Sequence, residues 1–247
     1  MGLDYVINLS CKPKLAFGNG DLARGTADVL ARTKAKSQAD MVAQMAEDEG
    51  QSVDEIAVTI ADGDGNERDV SHAELLQMAA PLATHAKHCE DCPANIVGRP
   101  YGCVGSVSYP IDGDAEAWLL ARVVGAGPQA QELMFSAIDD FEYDGEEIRE
   151  YREEGIFENK KALEAQLSRK VTTDQLFHAV LCVGDELEAF HCLMLLVWTG
   201  AVTLADTKAE DVELGDMPEP LGALELFALF TAMGAAAASD VSLLVDS

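Results

Sequence analysis

Apolar and polar side chains alternate from Leu3 to Leu9, with branched Val6 and Ile7 in the middle, which predicts a short strand that Lys12-Pro13 ends. From Asp21, a suitable N-cap, the apolar positions Leu22, Val29, Leu30, Met41, Val42 and Met45 recur at helical spacing as far as Glu49, and Gly50 closes the pattern. Two helices or one bent helix fit this stretch. Glu55 to Ala61 alternates again, and the DGDGN run at 62–66 turns the chain into a second short strand through Val70. Ser71 with Glu74 three residues on is a capping box that opens a helix toward Thr84, with Pro81 as a kink or break.

His85 to Gly105 carries neither period; it reads as a loop with three glycines, two prolines and three cysteines. Val104 to Ile111 is a strand with Pro110 at its edge or end. Beyond it the spacing predicts helices over Ala115–Val124, Pro128–Phe141, Glu146–Arg152, Phe157–Leu167, Thr173–Val183, Glu186–Trp198 and Leu221–Ala238. Leu187 to Val202 is expected in the core, and Leu214 to Pro220 reads as a linker. The pattern as a whole predicts an α+β fold, mainly helical, with a small N-terminal β-sheet. Residues 1–112 form a mixed region holding the cysteine loop and residues 113–247 a helical region, whether or not the two make one continuous domain.

Composition narrows the class. The chain has 44 acidic and 17 basic side chains, a formal charge of −27, yet 48% of it is hydrophobic, so it can bury a core and is not an acidic disordered tail. Residues 1–36 carry a net charge of +3, and all the acidity lies beyond them; the last segment, 171–247, has Lys208 as its single base. Such a field repels phosphate backbones, so direct nucleic-acid binding is not expected, and a partner would be a protein with a basic surface. No apolar run reaches the roughly 18 to 20 uninterrupted residues of a membrane span. The longest candidate, Leu221–Ala238, is interrupted by Glu225. The N-terminal residues lack the basic start and long apolar middle of a secretory signal, so a cytoplasmic location and no membrane association are expected.

The cysteine loop HAKHCEDCPANIVGRPYGC supplies the strongest chemistry. Cys89 and Cys92 form a C-x2-C pair, which puts two thiolates on one tight turn, and Cys103 follows from a second turn flanked by Gly102 and Gly105. A tetrahedral sulfur site needs a fourth ligand. Cys11 is the first choice, because Lys12 and Lys14 beside it would offset several thiolates, and His88 or His85 is the alternative. Structural zinc is the expected metal, with an iron–sulfur cluster as the alternative because cysteine followed by proline also occurs in cluster loops. A thioredoxin-like pair fits less well, since the motif does not follow a strand and open a helix.

Other constellations are weaker. Asp174, His178 and Cys182 are spaced to share one helical face, where parallel side chains do not converge as a catalytic triad must. Asp62, Asp64 and Asn66 resemble the start of a calcium loop, but Glu67 stands where glycine is required and Ala73 where the bidentate glutamate belongs. The acidic run DDFEYDGEEIREYREE is expected to turn Phe141, Ile148 and Tyr151 inward and leave its charges solvated. The resulting expectation is a non-catalytic, metal-stabilised interaction or regulatory protein. Its alternatives are an iron–sulfur or thiol-based redox protein, and an acidic nucleic-acid mimic that inhibits a basic partner.

Overall fold

A computed structural model describes residues 2–61, 67–182, 184–203 and 212–246. The chain opens with β1 (Gly2–Ile7), α1 (Lys12–Phe17) and α2 (Leu22–Glu49), then a 3-10 turn at Val53–Glu55 and the strands β2 (Ala57–Ala61) and β3 (Glu67–Ser71). Next come α3 (His72–Ala79), α4 (Leu82–His85), a 3-10 turn at Ala86–Cys89, β4 (Val104–Ser108), α5 (Gly113–Gly125), α6 (Pro128–Asp140) and α7 (Glu146–Glu153). The remainder is β5 (Glu164–Gln166), β6 (Lys170–Thr172), α8 (Thr173–Leu181), β7 (Glu186–Leu187), α9 (Ala189–Trp198), α10 (Leu221–Ala238) and β8 (Leu243–Asp246). The fold is α+β and mainly helical, with a small antiparallel sheet. Two compact units divide it: residues 1–9 with 103–247, and residues 10–102.

In the first unit the sheet runs β4-β1-β8-β7, antiparallel throughout, so the strand from the start of the chain lies between a middle strand and the C-terminal one. The expected N-terminal sheet thus draws half its strands from the far end of the sequence. Its core is made by Leu3, Val6 and Ile7 of β1 with Leu119 of α5, Leu195, Leu196 and Trp198 of α9, and Phe230 and Met233 of α10. α10 is long and apolar enough to cross a membrane by length and composition, with a mean hydropathy of 1.7. Glu225 does not interrupt it: its carboxylate accepts hydrogen bonds from the Ser108 backbone N–H at 2.7 Å and hydroxyl at 2.9 Å, which ties the helix to β4. Leu214 is buried and Glu213 N–H donates to the Ala201 carbonyl at 2.9 Å, while most of the 214–220 segment is an exposed connection within the first unit.

One expected helix gives way to a strand, and another starts three residues late. Phe157–Leu167 holds β5, paired with β6, and the 186–198 segment starts with β7 before turning helical at Ala189. The reason is tertiary. The Asn159 carbonyl, which a helix would need internally, accepts from Arg152 Nη1 at 2.9 Å, and Leu187 is fully buried against β8.

The second unit is built on α2, a single unbroken helix. Asp21 caps it by accepting from Arg24 N–H at 3.1 Å, and Gly50 ends it in the left-handed conformation at φ 65°. Ala35, Ala39 and Val42 of this helix pack with Val70 and Leu75 into a small core. β2 and β3 pair antiparallel; the 62–66 turn, with the residues compared to a calcium loop there, lies outside the described residues. The Ser71–Glu74 capping box is present in both directions. Gly25 sits inside α2 because a Cβ there would collide with the Lys14 carbonyl oxygen, so its absence lets α1 lie directly against α2. That contact fixes Cys11, the residue preceding α1.

Candidate metal centres

Cys11 has extended backbone geometry as the N-cap of α1. The C-terminal end of α1 packs on the turn that carries His85 to Cys89: the Phe17 and His85 rings meet edge to face at 5.0 Å, and His85 and His88 lie 6.4 Å apart. Arg32 of α2 stacks over Phe17 at 5.2 Å and donates to the Met78 carbonyl at 2.8 Å, which backs this corner with the α2–α3 pair. Along the loop, Cys92 N–H donates to the Cys89 carbonyl at 3.2 Å and Asn95 N–H to the Cys92 carbonyl at 2.9 Å, while Asn95 Nδ2 closes back on the Cys89 carbonyl at 2.8 Å. Three hydrogen bonds therefore hold the C-x2-C turn. Asn95 Oδ1 is left as a buried acceptor without a partner among the described residues.

Burial raises the Cys11 thiol above its ordinary pKa. The backbone N–H and ammonium of Lys14 pull it down, while Cys92 and Cys89 push it up as like charges. Cys11 therefore lies within electrostatic reach of both members of the pair. His88 has its pKa lowered by loss of solvation and then by Lys12, Lys87 and His85. Lys14 is itself almost wholly buried, at 1% exposure.

Cys103 belongs to the other unit, where its thiol is buried and its carbonyl accepts from Ile7 N–H at 3.0 Å. None of the six cysteines is joined in a disulfide among the described residues. Cys11, Cys89 and Cys92, with or without His85 and His88, do not form a group whose donor atoms all lie within 4.8 Å of one another. Among the described residues, Glu147, His178 and Cys182 do.

Asp174 is not part of that second group: it turns inward, its Oδ1 accepting from Arg152 Nε at 2.6 Å. Arg152 also forks onto Glu116 and donates to Thr173 Oγ1 at 3.1 Å, and its guanidinium lies 4.4 Å over the Phe157 ring. Asn159 Nδ2 and the Thr173 hydroxyl complete the Glu116 carboxylate at 2.9 and 2.7 Å. One guanidinium between two buried carboxylates fastens α5, α7 and α8 together.

On this base Glu147 projects from α7 toward His178 and Cys182, with His178 Nε2 4.0 Å from Glu147 Oε2. Gly145 N–H donates to His178 Nδ1 at 3.1 Å, Asp144 Oδ1 lies 3.7 Å from the same nitrogen, and the Tyr143 ring packs edge-on at 5.4 Å. Burial first, then hydrogen bonding and charge from Glu147, push the Cys182 thiol up to about 12, so as it stands it is no nucleophile. Sequence reasoning missed Glu147 because it belongs to the acidic run, where it is one carboxylate among many. The inward side chains of that run are Tyr143, Ile148 and Arg152; Tyr151 is half-buried and Phe141 exposed, against expectation. Ile148 and Arg152, one turn apart and both buried, are the signal that sets the flank on which Glu147 projects.

No family model, curated protein or solved structure matches the chain. Fold and donor chemistry together define an α+β protein with one group of converging donors, Glu147, His178 and Cys182, in the first unit and a hydrogen-bonded C-x2-C turn in the second.

Proposed function

We propose that the protein is a metal-stabilised interaction protein without catalysis of its own, in which Cys11, Cys89 and Cys92 hold a structural zinc ion. The observation that carries this reading is the packing of α1 on the 85–89 turn through Phe17 and His85, which brings Cys11 within electrostatic reach of the C-x2-C pair from the other end of the unit. Within the same unit His88 or His85 is the fourth ligand, a set of three thiolates and one imidazole, and the thiolates would have to close in on the ion to complete the tetrahedron. Lys12 and Lys14 offset the thiolate charge. Free thiols suit the reducing cytosol that this reading requires. The acidic surface, at a net −27, favours a protein partner with a basic face.

Structural zinc binds with about 10–16 kcal/mol, as much as the whole stability of an ordinary domain, so the ion and the fold of this unit stand or fall together. Elemental analysis of the full chain tests the reading. Purified wild type should carry zinc, Cys92→Ser should carry one equivalent less, and its melting temperature should fall. Equal metal content and stability in the two proteins would remove the site. Iron with inorganic sulfide, in a brown preparation, would replace zinc by a cluster on the same cysteines.

A further inference from the structure

In the unit that lacks the C-x2-C pair, three different donor types converge from two helices. Glu147 Oε, His178 and Cys182 Sγ all place a donor atom within 4.8 Å of one another. The scaffold beneath them is stiff, since Arg152 of α7 and Asp174 of α8 join the two helices at 2.6 Å in the buried network. We propose that Glu147, His178 and Cys182 form an open, exchangeable binding site for a borderline divalent cation of the zinc type.

The donor set is one carboxylate oxygen, one imidazole nitrogen and one thiolate, which suits such a cation and leaves a fourth position for water. Tetrahedral bonds of about 2.0–2.2 Å to nitrogen and oxygen put those ligand atoms about 3.3–3.5 Å apart, so the 4.0 Å between Nε2 and Glu147 Oε2 needs a contraction of about half an ångström. Glu147 can supply it, because its side chain is 58% exposed and free to change rotamer. Exposure also makes the site reachable from solvent, unlike a closed structural centre.

The imidazole must give Nε2 to the metal, so Nδ1 must carry the proton. At present Nδ1 accepts from Gly145 N–H, which fixes the opposite tautomer. A carboxylate stands ready for the exchange: Asp144 Oδ1 lies 3.7 Å from Nδ1 and can accept its proton, giving a carboxylate–histidine–metal arrangement. Metal loading thus trades the Gly145 hydrogen bond for one to Asp144. The thiol proton leaves to solvent as the metal binds.

Cobalt(II) is the probe, because a thiolate-bound ion absorbs in the near ultraviolet and a tetrahedral one in the visible. The full-length protein is titrated and its bound cobalt counted, alongside Cys182→Ser, His178→Gln, Glu147→Gln and Asp144→Asn, each checked for fold by far-ultraviolet circular dichroism. Cys182→Ser and His178→Gln should each bind one cobalt fewer than wild type. Asp144→Asn should keep the equivalent at about 10–100-fold lower affinity. Glu147→Gln changes an exposed residue and leaves the fold intact, so it decides the matter if the buried variants unfold: at least a tenfold loss of affinity for this equivalent supports the site. Unchanged affinity in Glu147→Gln, or an unchanged cobalt count in folded Cys182→Ser, overturns it. Cys92→Ser reports on the other unit only, so the two sites fail independently.

Discussion

Arg152 is the residue on which the first unit turns. Two carboxylates, Glu116 and Asp174, are almost fully buried with it, and the guanidinium and its neighbours satisfy their oxygen atoms. Removing the one cation leaves two buried anions facing each other. Arg152→Met should therefore cost about 3–5 kcal/mol in urea unfolding, far more than any exposed ion pair such as Arg169–Asp139, whose loss should stay within about 1 kcal/mol. Replacing all three charged residues together by apolar ones should recover much of the loss, since the burial of charge is itself costly. Little of this was readable beforehand. Arg152 stood in a run expected to be solvated, and only the apolar Ile148 one turn earlier hinted that this face points inward.

Elements with local signals were legible, as were β1 and β4, which are long enough to alternate; the shorter strands that depend on distant partners were not. Asp21 and Gly50 bound α2, and the Ser71–Glu74 box opens α3, because a cap is made by residues three or four positions apart. β5 with β6, β7 and β8 are two to four residues long and owe their existence to partners in the sheet, so their own sequences carry no adequate period. The α3 cap also carries a pH dependence. The Ser71 backbone N–H and hydroxyl hold the Glu74 carboxyl below its usual value of 4.5. Its folded pKa is thus lower than its unfolded one, and the stability it adds is present above about pH 4.5 and lost as pH falls through the depressed folded value. Glu74→Gln should show a shallower acid-side loss in a melting series between pH 6 and 3; an unchanged slope would mean that the cap does not titrate. Glu225 makes the same point for tertiary structure: read alone it breaks an apolar run, whereas in the fold it joins α10 to β4.

At the scale of the molecule, the net charge of −27 shapes what can approach the surface, while the chemistry proposed above rests on two small sets of side chains, one in each unit. The C-x2-C turn was legible because its spacing is a sequence property, whereas ligation by it and by Cys11, chosen for the lysines beside it, is what the proposal adds. The convergence of Glu147 on His178 and Cys182 was not legible, since it depends on how α7 packs on α8. Metal in the cysteine-bearing unit is the central claim, and it has a spatial signature. Hydrogen exchange of the full-length protein should be measured with and without a zinc chelator. Loss of protection on chelation across residues 10–102, with 103–247 largely unchanged, is the predicted result, because only the first segment contains Cys11, Cys89 and Cys92. Protection across 10–102 that does not respond to the chelator would contradict it.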